Sequence, residues 1–281
     1  MKKILIIFFI LIGVYLVFTN LHRIPGLAFG SDGDEVKLTN KIDLIDIDIN
    51  SISATIIPEN RNTIKADLKG KGEVKVSKSG DTITVEYKKK WFDIISIFNH
   101  SKLTIYIPEE YDRDLELNVG SGNMKFSGSE MELEKLSVTV QSGNINLKNL
   151  KVDEFTQDVA SGNATINSLA TGEGTINVSS GNTTLNDYSG KLDAKVSSGR
   201  LKAQMDKLTG SVNAKVSSGI LSLDLPDDAD FTLNAKVSSG LISNHFPLDN
   251  SKQEKGDIEG THGSGKHKVN LKVSSGKLDI Y

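Results

Sequence analysis

Apolar positions recur along most of this chain in a fixed relation to a Ser-Gly pair. Glycine stands at 122, 143, 162, 181, 199, 219, 240 and 276, and a valine lies three residues before each of them. Apolar or small residues also recur two and four positions after these glycines, while Lys, Asp, Asn and Thr alternate with them. An alternation of period two is typical of a β-strand with one buried face. Each unit of about 20 residues therefore predicts a strand, a bend and a second strand.

A single unit of this kind has nothing to bury its apolar face against, so neighbouring units must stack. Two architectures fit the spacing: stacked hairpins and a parallel β-solenoid. Two-residue hairpin loops prefer Asn-Gly or Asp-Gly, whereas every bend here has serine. Asn123, Asn144, Asn163 and Asn182 follow successive glycines, in a register that would let their side chains form a ladder. These features favour an all-β, repetitive parallel β-solenoid of about nine to eleven coils over stacked hairpins.

The segment from about residue 36 to 110 shows the same strand pattern with a weaker bend signature. Alternation at Ile42, Leu44, Ile47 and Ile49 resembles an opening coil. We therefore assign residues 41–281 to one solenoid domain. A polar insertion at about 244–262 separates the last two glycine bends, and we expect it to be a surface loop.

The N-terminus differs from the rest of the chain. Lys2 and Lys3 precede an uninterrupted apolar run from Ile4 to Phe18. No A-x-A-like cleavage site follows, which favours an uncleaved signal anchor over a removed signal peptide. We assign residues 1–24 to one transmembrane helix that contacts the cell membrane through residues 4–21, and residues 25–40 to a linker. The lysines predict a cytoplasmic N-terminus, a single pass and an extracellular C-terminal domain.

Composition excludes several classes of function. The formal charge of −3 and a pI near 6.0 give no electrostatic reason to expect nucleic acid as a partner. The chain has no cysteine, which rules out disulfides and thiolate chemistry. No set of nucleophile, base and acid appears, so we expect neither a catalytic residue nor a cofactor.

Three motifs have weak chemical signals. Residues 260–266 have the letters GxxxxGK, but His267 replaces the required Ser or Thr and a strand pattern follows, so we expect a turn and no nucleotide. His245, His262 and His267 lie on or near the polar insertion without a carboxylate at ligand spacing, so we expect no metal. Asp43, Asp46 and Asp48 alternate with apolar residues, which indicates the solvated face of a strand rather than a calcium loop.

One basic and apolar segment is the candidate contact site for a membrane or a partner protein. It contains the only tryptophan of the chain, and a second interpretation is that it covers the end of the solenoid core. The candidate residues are Lys88, Lys89, Lys90, Trp91, Phe92, Ile94, Ile95, Ile97 and Phe98.

The repeats also resemble a known family. The Val-x-Ser-Gly-x-apolar-x-apolar units, the Gly263-Ser264-Gly265 turn and the closing segment Val273–Ile280 resemble the "putative adhesin" domain of Gram-positive bacteria. With the Lys-Lys anchor, the chain is similar to its membrane-anchored LiaG-like members, which belong to the cell-envelope stress response. This resemblance implies a solenoid-like fold and a membrane location, and it supplies no catalytic residues.

We therefore expect a membrane-anchored, extracytoplasmic, non-enzymatic protein. It would serve the envelope-stress response or surface adhesion through contacts with envelope-stress membrane proteins or cell-wall polymers. The alternative is a polysaccharide-active enzyme, a lyase or hydrolase, because solenoids also carry such activities.

Overall fold

The computed structural model describes residues 35–88 and 101–281, and every regular element within these ranges is a β-strand. The first strands are β1 (Glu35–Lys37), β2 (Leu44–Ile49), β3 (Ser53–Glu59), β4 (Thr63–Lys69), β5 (Glu73–Ser79), β6 (Thr82–Lys88), β7 (Lys102–Pro108), β8 (Asp114–Val119) and β9 (Asn123–Phe126). The central strands are β10 (Met131–Val140), β11 (Asn144–Val159), β12 (Asn163–Val178), β13 (Asn182–Val196), β14 (Arg200–Lys207), β15 (Val212–Val216) and β16 (Ile220–Asp224). The last are β17 (Phe231–Val237), β18 (Leu241–Asn244), β19 (Asp249–Glu254), β20 (Asp257–His262), β21 (His267–Val273) and β22 (Lys277–Ile280).

Parallel pairing between successive units confirms a solenoid rather than stacked hairpins. The strands before the bends form one wall, in the order β6-β2-β8-β10-β11-β12-β13-β15-β21-β17. The strands after the bends form a second wall, in the order β7-β3-β9-β11-β12-β13-β14-β16-β22-β18. Ten parallel rows in the first wall agree with the predicted number of coils. We call these the pre-bend wall and the post-bend wall.

The order of the coils departs from the order of the chain at both ends. The last coil, β21–β22, lies between the β15–β16 coil and the β17–β18 coil. The first coil, β2–β3, likewise lies inside the later β6 and β7. A coil presents the same pattern on both of its edges, so the repeat alone does not fix its place in the stack.

Antiparallel strands cover both ends of the pre-bend wall and one end of the post-bend wall. At the N-terminal end, β5 pairs with β6, while β4 pairs with β7 and with β1. At the C-terminal end, β20 pairs with β17 and β19 pairs with β20. The expectation of a surface loop at 244–262 was therefore wrong for much of its length. The insertion folds into a hairpin because the last row of the pre-bend wall has a free edge.

The three long central strands turn a second corner that the repeat did not reveal. Asn149, Ser168 and Asp187 lie in β11, β12 and β13 with φ angles of 55°, 57° and 54°. They lie 19 residues apart, so the left-handed corners stack on one another. Asn and Asp tolerate this conformation better than most residues, which explains two of the three positions.

The core consists of the inward residues of both walls, as the alternation predicts. Valines before the bend, such as Val140, Val159 and Val178, are buried, and so are the second and fourth positions after it in every coil except the outermost one, β17–β18, where Ile242 and Asn244 are partly buried. Phe126, Phe155, Tyr188 and Phe231 are the bulkiest of the fully buried side chains. The interior is therefore filled by side chains, and any contact with a partner must use the outer faces.

Candidate binding surface

Several outward lysines on the pre-bend wall form ion pairs with nearby acids. Lys135 Nζ lies 3.1 Å from Glu154 Oε1, one row away. Lys191 bonds to Glu173 of the neighbouring coil and lies 3.0 Å from Oδ2 of Asp193, two residues along its own strand. The Lys191 ammonium donates hydrogen bonds to the Glu173 and Asp193 carboxylates, and these bonds raise its pKa. Opposite charges on neighbouring strands are the arrangement that stabilises a sheet.

Four lysines on the C-terminal half of the same wall are instead next to one another on neighbouring strands. Lys195 pairs in register with Lys215, Lys215 with Lys272, and Lys272 with Lys236. We call these four residues the lysine row. Adjacent rows of a sheet are about 4.8 Å apart, so the row spans roughly 14 Å along the stack.

The lysine row has no acidic partner in the described part of the chain. None of its four members forms an ion pair there, and all four side chains are exposed. Asn177 borders the row at one end, and Asp257 on β20 lies beyond its other end, where it accepts a hydrogen bond from the Val237 N–H. Like charges on neighbouring rows repel, so the arrangement costs stability.

A row of polar side chains runs beside the lysine row. It begins at Asp193 and continues through Asn213, Asn270 and Asn234. The Asn213 amide donates to Asp193 Oδ1 at 2.7 Å, and the Asn270 amide donates to Asn213 Oδ1 at 2.9 Å. An open groove of about 580 Å³ follows both rows across β12, β13, β15, β21 and β17. The groove offers ammonium groups on one side, and amides together with the Asp193 carboxylate on the other.

The predicted asparagine ladder exists on the post-bend wall. Asn144 donates to Asn123 at 2.7 Å, Asn163 to Asn144 at 2.8 Å, and Asn182 to Asn163 at 2.9 Å. Each amide uses a donor toward one neighbour and an acceptor toward the next. Arg200 continues the register and ends the ladder, as the sequence predicts.

Of the predicted contact segment, only Lys88 is described. It ends β6, is exposed, and its ammonium lies 3.0 Å from Glu86 Oε2. The remaining candidates, Lys89 to Phe98, lie outside the described residues. Their neighbours in the chain, β6 and β7, belong to the outermost parallel rows of the two walls.

The GxxxxGK segment ends in the predicted turn, at residues 263–266 between β20 and β21. A carboxylate of the chain itself occupies this turn. Gly263 and Gly265 have φ angles of 60° and 72°. The Ser264 N–H donates to Asp230 Oδ1 at 2.6 Å. A Cβ atom on Gly263 would lie 1.9 Å from that same oxygen. The backbone donor that a phosphate would need is therefore occupied by a carboxylate of the chain itself.

The three histidines do not converge. His262 Nδ1 lies 2.9 Å from the Pro247 carbonyl, and its ring packs against Phe231 and Phe246. His245 Nε2 lies 3.5 Å from Asp279 Oδ1 on β22. Residues 35–88 and 101–281 contain no group of three or more His, Cys, Asp or Glu side chains placed to bind a metal.

The acidic strand β2 has the alternating pattern that the sequence indicates. Asp46 and Asp48 point outward between buried Ile45, Ile47 and Ile49. Asp46 accepts a hydrogen bond from the Asn118 amide at 3.2 Å. Asp43, just before the strand, forms an ion pair with Arg113.

Sequence reasoning missed the lysine row, although its signal is visible. Lys-Val-Ser-Ser-Gly begins at 195, 215, 236 and 272, so a lysine stands four positions before the last four bend glycines. This position points outward, so it contributes nothing to the apolar alternation or to the Asn ladder by which the repeat is recognised.

The described residues contain no helix long and apolar enough to cross a membrane.

Comparison with known proteins supports the fold and shows the family. A crystal structure of a "putative adhesin" from Parabacteroides distasonis is similar over 91% of this chain and 98% of that chain, at 14% identity and a TM-score of 0.56. A "putative adhesin" from Bacteroides fragilis covers 90% and 97%, at 11% identity and a TM-score of 0.50. These identities establish a shared fold alone.

No curated protein shows significant sequence similarity to the chain. The family model "Toastrack DUF4097" matches residues 42–281, which is nearly the whole solenoid. The chain therefore belongs to the Toastrack DUF4097 family.

Proposed function

We propose that this protein is a membrane-anchored, extracytoplasmic, non-enzymatic scaffold that acts through contacts with envelope proteins or wall polymers. The observation that carries the proposal is the regular outer surface of the solenoid. Identical side chains repeat in register from coil to coil, in the asparagine ladder and in the lysine row. Such a surface suits a partner that is itself extended and repetitive.

The apolar run from Ile4 to Phe18 behind two lysines supports the membrane location. The similarity of the fold to structures described as "putative adhesins" supports a role at the cell surface. Within that role, the resemblance to LiaG-like proteins favours the envelope-stress response.

Segment 88–98 is the proposed contact with an anionic membrane or a partner protein. Its composition, three lysines followed by Trp, Phe and Ile, is typical of a segment that lies on a bilayer surface. Hydrogen exchange of the full-length chain, with and without vesicles of anionic lipid, tests this contact. The absence of protection in residues 91–98 would remove it.

The lack of cysteine makes the topology easy to test. Single variants Lys3→Cys and Ser218→Cys place one thiol near the N-terminus and one on an exposed bend. In intact cells, a membrane-impermeant maleimide should label Ser218→Cys, and it should label Lys3→Cys only after lysis. Labelling of Ser218→Cys only after lysis would overturn the extracytoplasmic location.

Cross-linking in intact cells then separates the two roles. A photoreactive residue at position 218 should capture neighbouring molecules on the bend edge of the solenoid. Recovery of a membrane signalling protein supports the stress role, and recovery of wall polymer supports adhesion. Release of soluble fragments from purified peptidoglycan or teichoic acid by the protein would instead establish the enzymatic alternative.

A further inference from the structure

We infer that the lysine row, with the asparagines beside it, binds a linear polymer of phosphodiesters along the solenoid axis. The polymer's presence outside the cell rests on the proposed function, whereas the binding itself rests on the surface alone. The row consists of Lys195, Lys215, Lys272 and Lys236, and its groove is about 580 Å³.

The lysine row differs in charge from other parts of the same wall. Elsewhere on this wall the chain places an acid opposite a lysine, as in Lys135–Glu154 and Lys191–Glu173. Along the lysine row no ammonium forms an ion pair with the described residues: Asp193, which lines the groove, is paired with Lys191 and Asn213, and Asp257 accepts from the Val237 N–H at the end of the row. Repulsion between adjacent ammonium groups is therefore not relieved by an ion pair. Adjacent rows are about 4.8 Å apart, which is within one Debye length of about 8 Å at physiological salt, so neighbouring ammonium groups act together on a polyanion.

The shape of the lysine row indicates the shape of its ligand. The charges form a single file about 14 Å long, which matches an extended chain rather than a compact anion. Lysine binds phosphate as a point charge on a flexible stem, so the spacing of the phosphates need not equal the spacing of the rows. Asn234 and Asn270 flank the file and can bond to hydroxyl groups or phosphate oxygens of the polymer units.

The lining of the groove does not suit a membrane surface or a single-stranded nucleic acid. A protein surface that rests on a membrane combines basic residues with exposed apolar ones. The exposed large apolar side chains of residues 35–88 and 101–281 are Leu241 and Tyr281, and neither lines this groove. Single-stranded nucleic acid is bound on aromatic platforms, and no aromatic residue lines the groove either. The groove therefore fits a polyanion that has neither bases nor a lipid surface, and a phosphodiester polymer is the ligand of this kind that we assign to it.

The test measures binding of a fluorescent poly(glycerol phosphate) to the full-length chain in non-ionic detergent, by anisotropy over a range of salt concentrations. Four phosphate contacts predict a slope of log K against log salt of about −2.8, by analogy with single strands. Affinity should then fall roughly 50-fold between about 50 and 200 mM salt. The double variant Lys215→Gln and Lys272→Gln should halve the slope and weaken binding about 25-fold at the lower salt concentration.

A matched control removes the same charge elsewhere. Lys125 and Lys202 are exposed on the post-bend wall and form no ion pair with the described residues. Lys125→Gln with Lys202→Gln should bind like the unchanged chain. The Lys215 and Lys272 double variant should also melt no lower than the unchanged chain, because repulsion is relieved. This outcome separates a binding role from a structural one.

Equal binding by the two double variants would overturn the inference, and so would stronger binding to phosphatidylglycerol vesicles than to the polymer. If the Ser218→Cys labelling places the domain outside the cell but the polymer does not bind, the inference alone fails. If the polymer binds but the labelling places the domain inside, the proposed function fails and the site stands.

Discussion

The bend glycines pack closely against the neighbouring coil, and Gly162→Ala tests whether this close packing is the reason that glycine is required. The φ angle at Gly162 is not left-handed, so its backbone conformation does not require glycine. Space does. A Cβ atom at this position would lie 2.3 Å from the Gly143 carbonyl oxygen and 2.6 Å from Val140 Cγ1, where ordinary contact is 3.4–4 Å.

The expected loss of stability follows from that overlap. The coil must move by about 1 Å against a backbone atom, and overpacking of this kind costs roughly 1–3 kcal/mol. The shift also strains the bonds from Ser161 N–H to Gln141 O at 2.7 Å and from Asn163 N–H to Gly143 O at 2.9 Å. Each contributes about 0.5–1.5 kcal/mol. The stiffer unfolded chain of the alanine variant offsets about 0.4–1 kcal/mol of this loss, so the free energy of unfolding should fall by about 1–5.5 kcal/mol.

Urea denaturation followed by circular dichroism measures this change in the full-length chain. Ser161→Ala removes only an exposed hydroxyl from the same bend and should stay within about 0.5 kcal/mol of the unchanged chain. Gly240→Ala meets a similar overlap, 2.4 Å from Gly276 O, but β18 is paired on one edge only and can shift outward. It should cost less than Gly162→Ala. Equal losses at 161 and 162, or at 162 and 240, would refute the close-stacking explanation.

Three further outcomes follow from buried and ladder side chains. Asn163→Ala breaks two ladder bonds and Asn123→Ala breaks one, so urea denaturation should show a loss of about 1–3 kcal/mol for the first and roughly half of that for the second. Gln157 is fully buried, its Nε2 donates to Thr183 Oγ1 at 2.6 Å, and its Oε1 has no partner in the described structure. Thr183→Val alone should therefore lower the free energy of unfolding by about 1–3 kcal/mol, because it leaves the Gln157 amide without a partner. Gln157→Leu combined with Thr183→Val should restore or exceed the original free energy of unfolding. A double variant less stable than the single one would contradict this. Burial raises the pKa of Tyr188 above its value of about 10 in the unfolded chain. The stability that the neutral side chain contributes is therefore complete below about pH 10 and is lost as the pH rises above it. Tyr188→Phe should flatten the alkaline decline in stability measured by denaturation, and an unchanged decline would contradict the assignment.

The lysine row shows how far the sequence could lead toward a functional surface. Four copies of Lys-Val-Ser-Ser-Gly specify that the lysines share one outward column, because the period of two fixes the face and the bend fixes the register. The absence of counter-charges could not be inferred in the same way. An acid such as Glu173 reaches Lys191 from the neighbouring coil, and the identity of that neighbour is a tertiary property.

The sequence by itself determined the strand-bend-strand unit, the inward faces and the asparagine ladder. All of these depend on contacts between equivalent positions of adjacent repeats, so any stacking order satisfies them. Tertiary structure alone decided that β21–β22 lies between the β15–β16 and β17–β18 coils, and that residues 249–262 form a hairpin at the end of the stack. Every coil offers the same hydrogen-bonding edge to its neighbours, so the position of a coil depends on the competition among all free edges once the chain has folded.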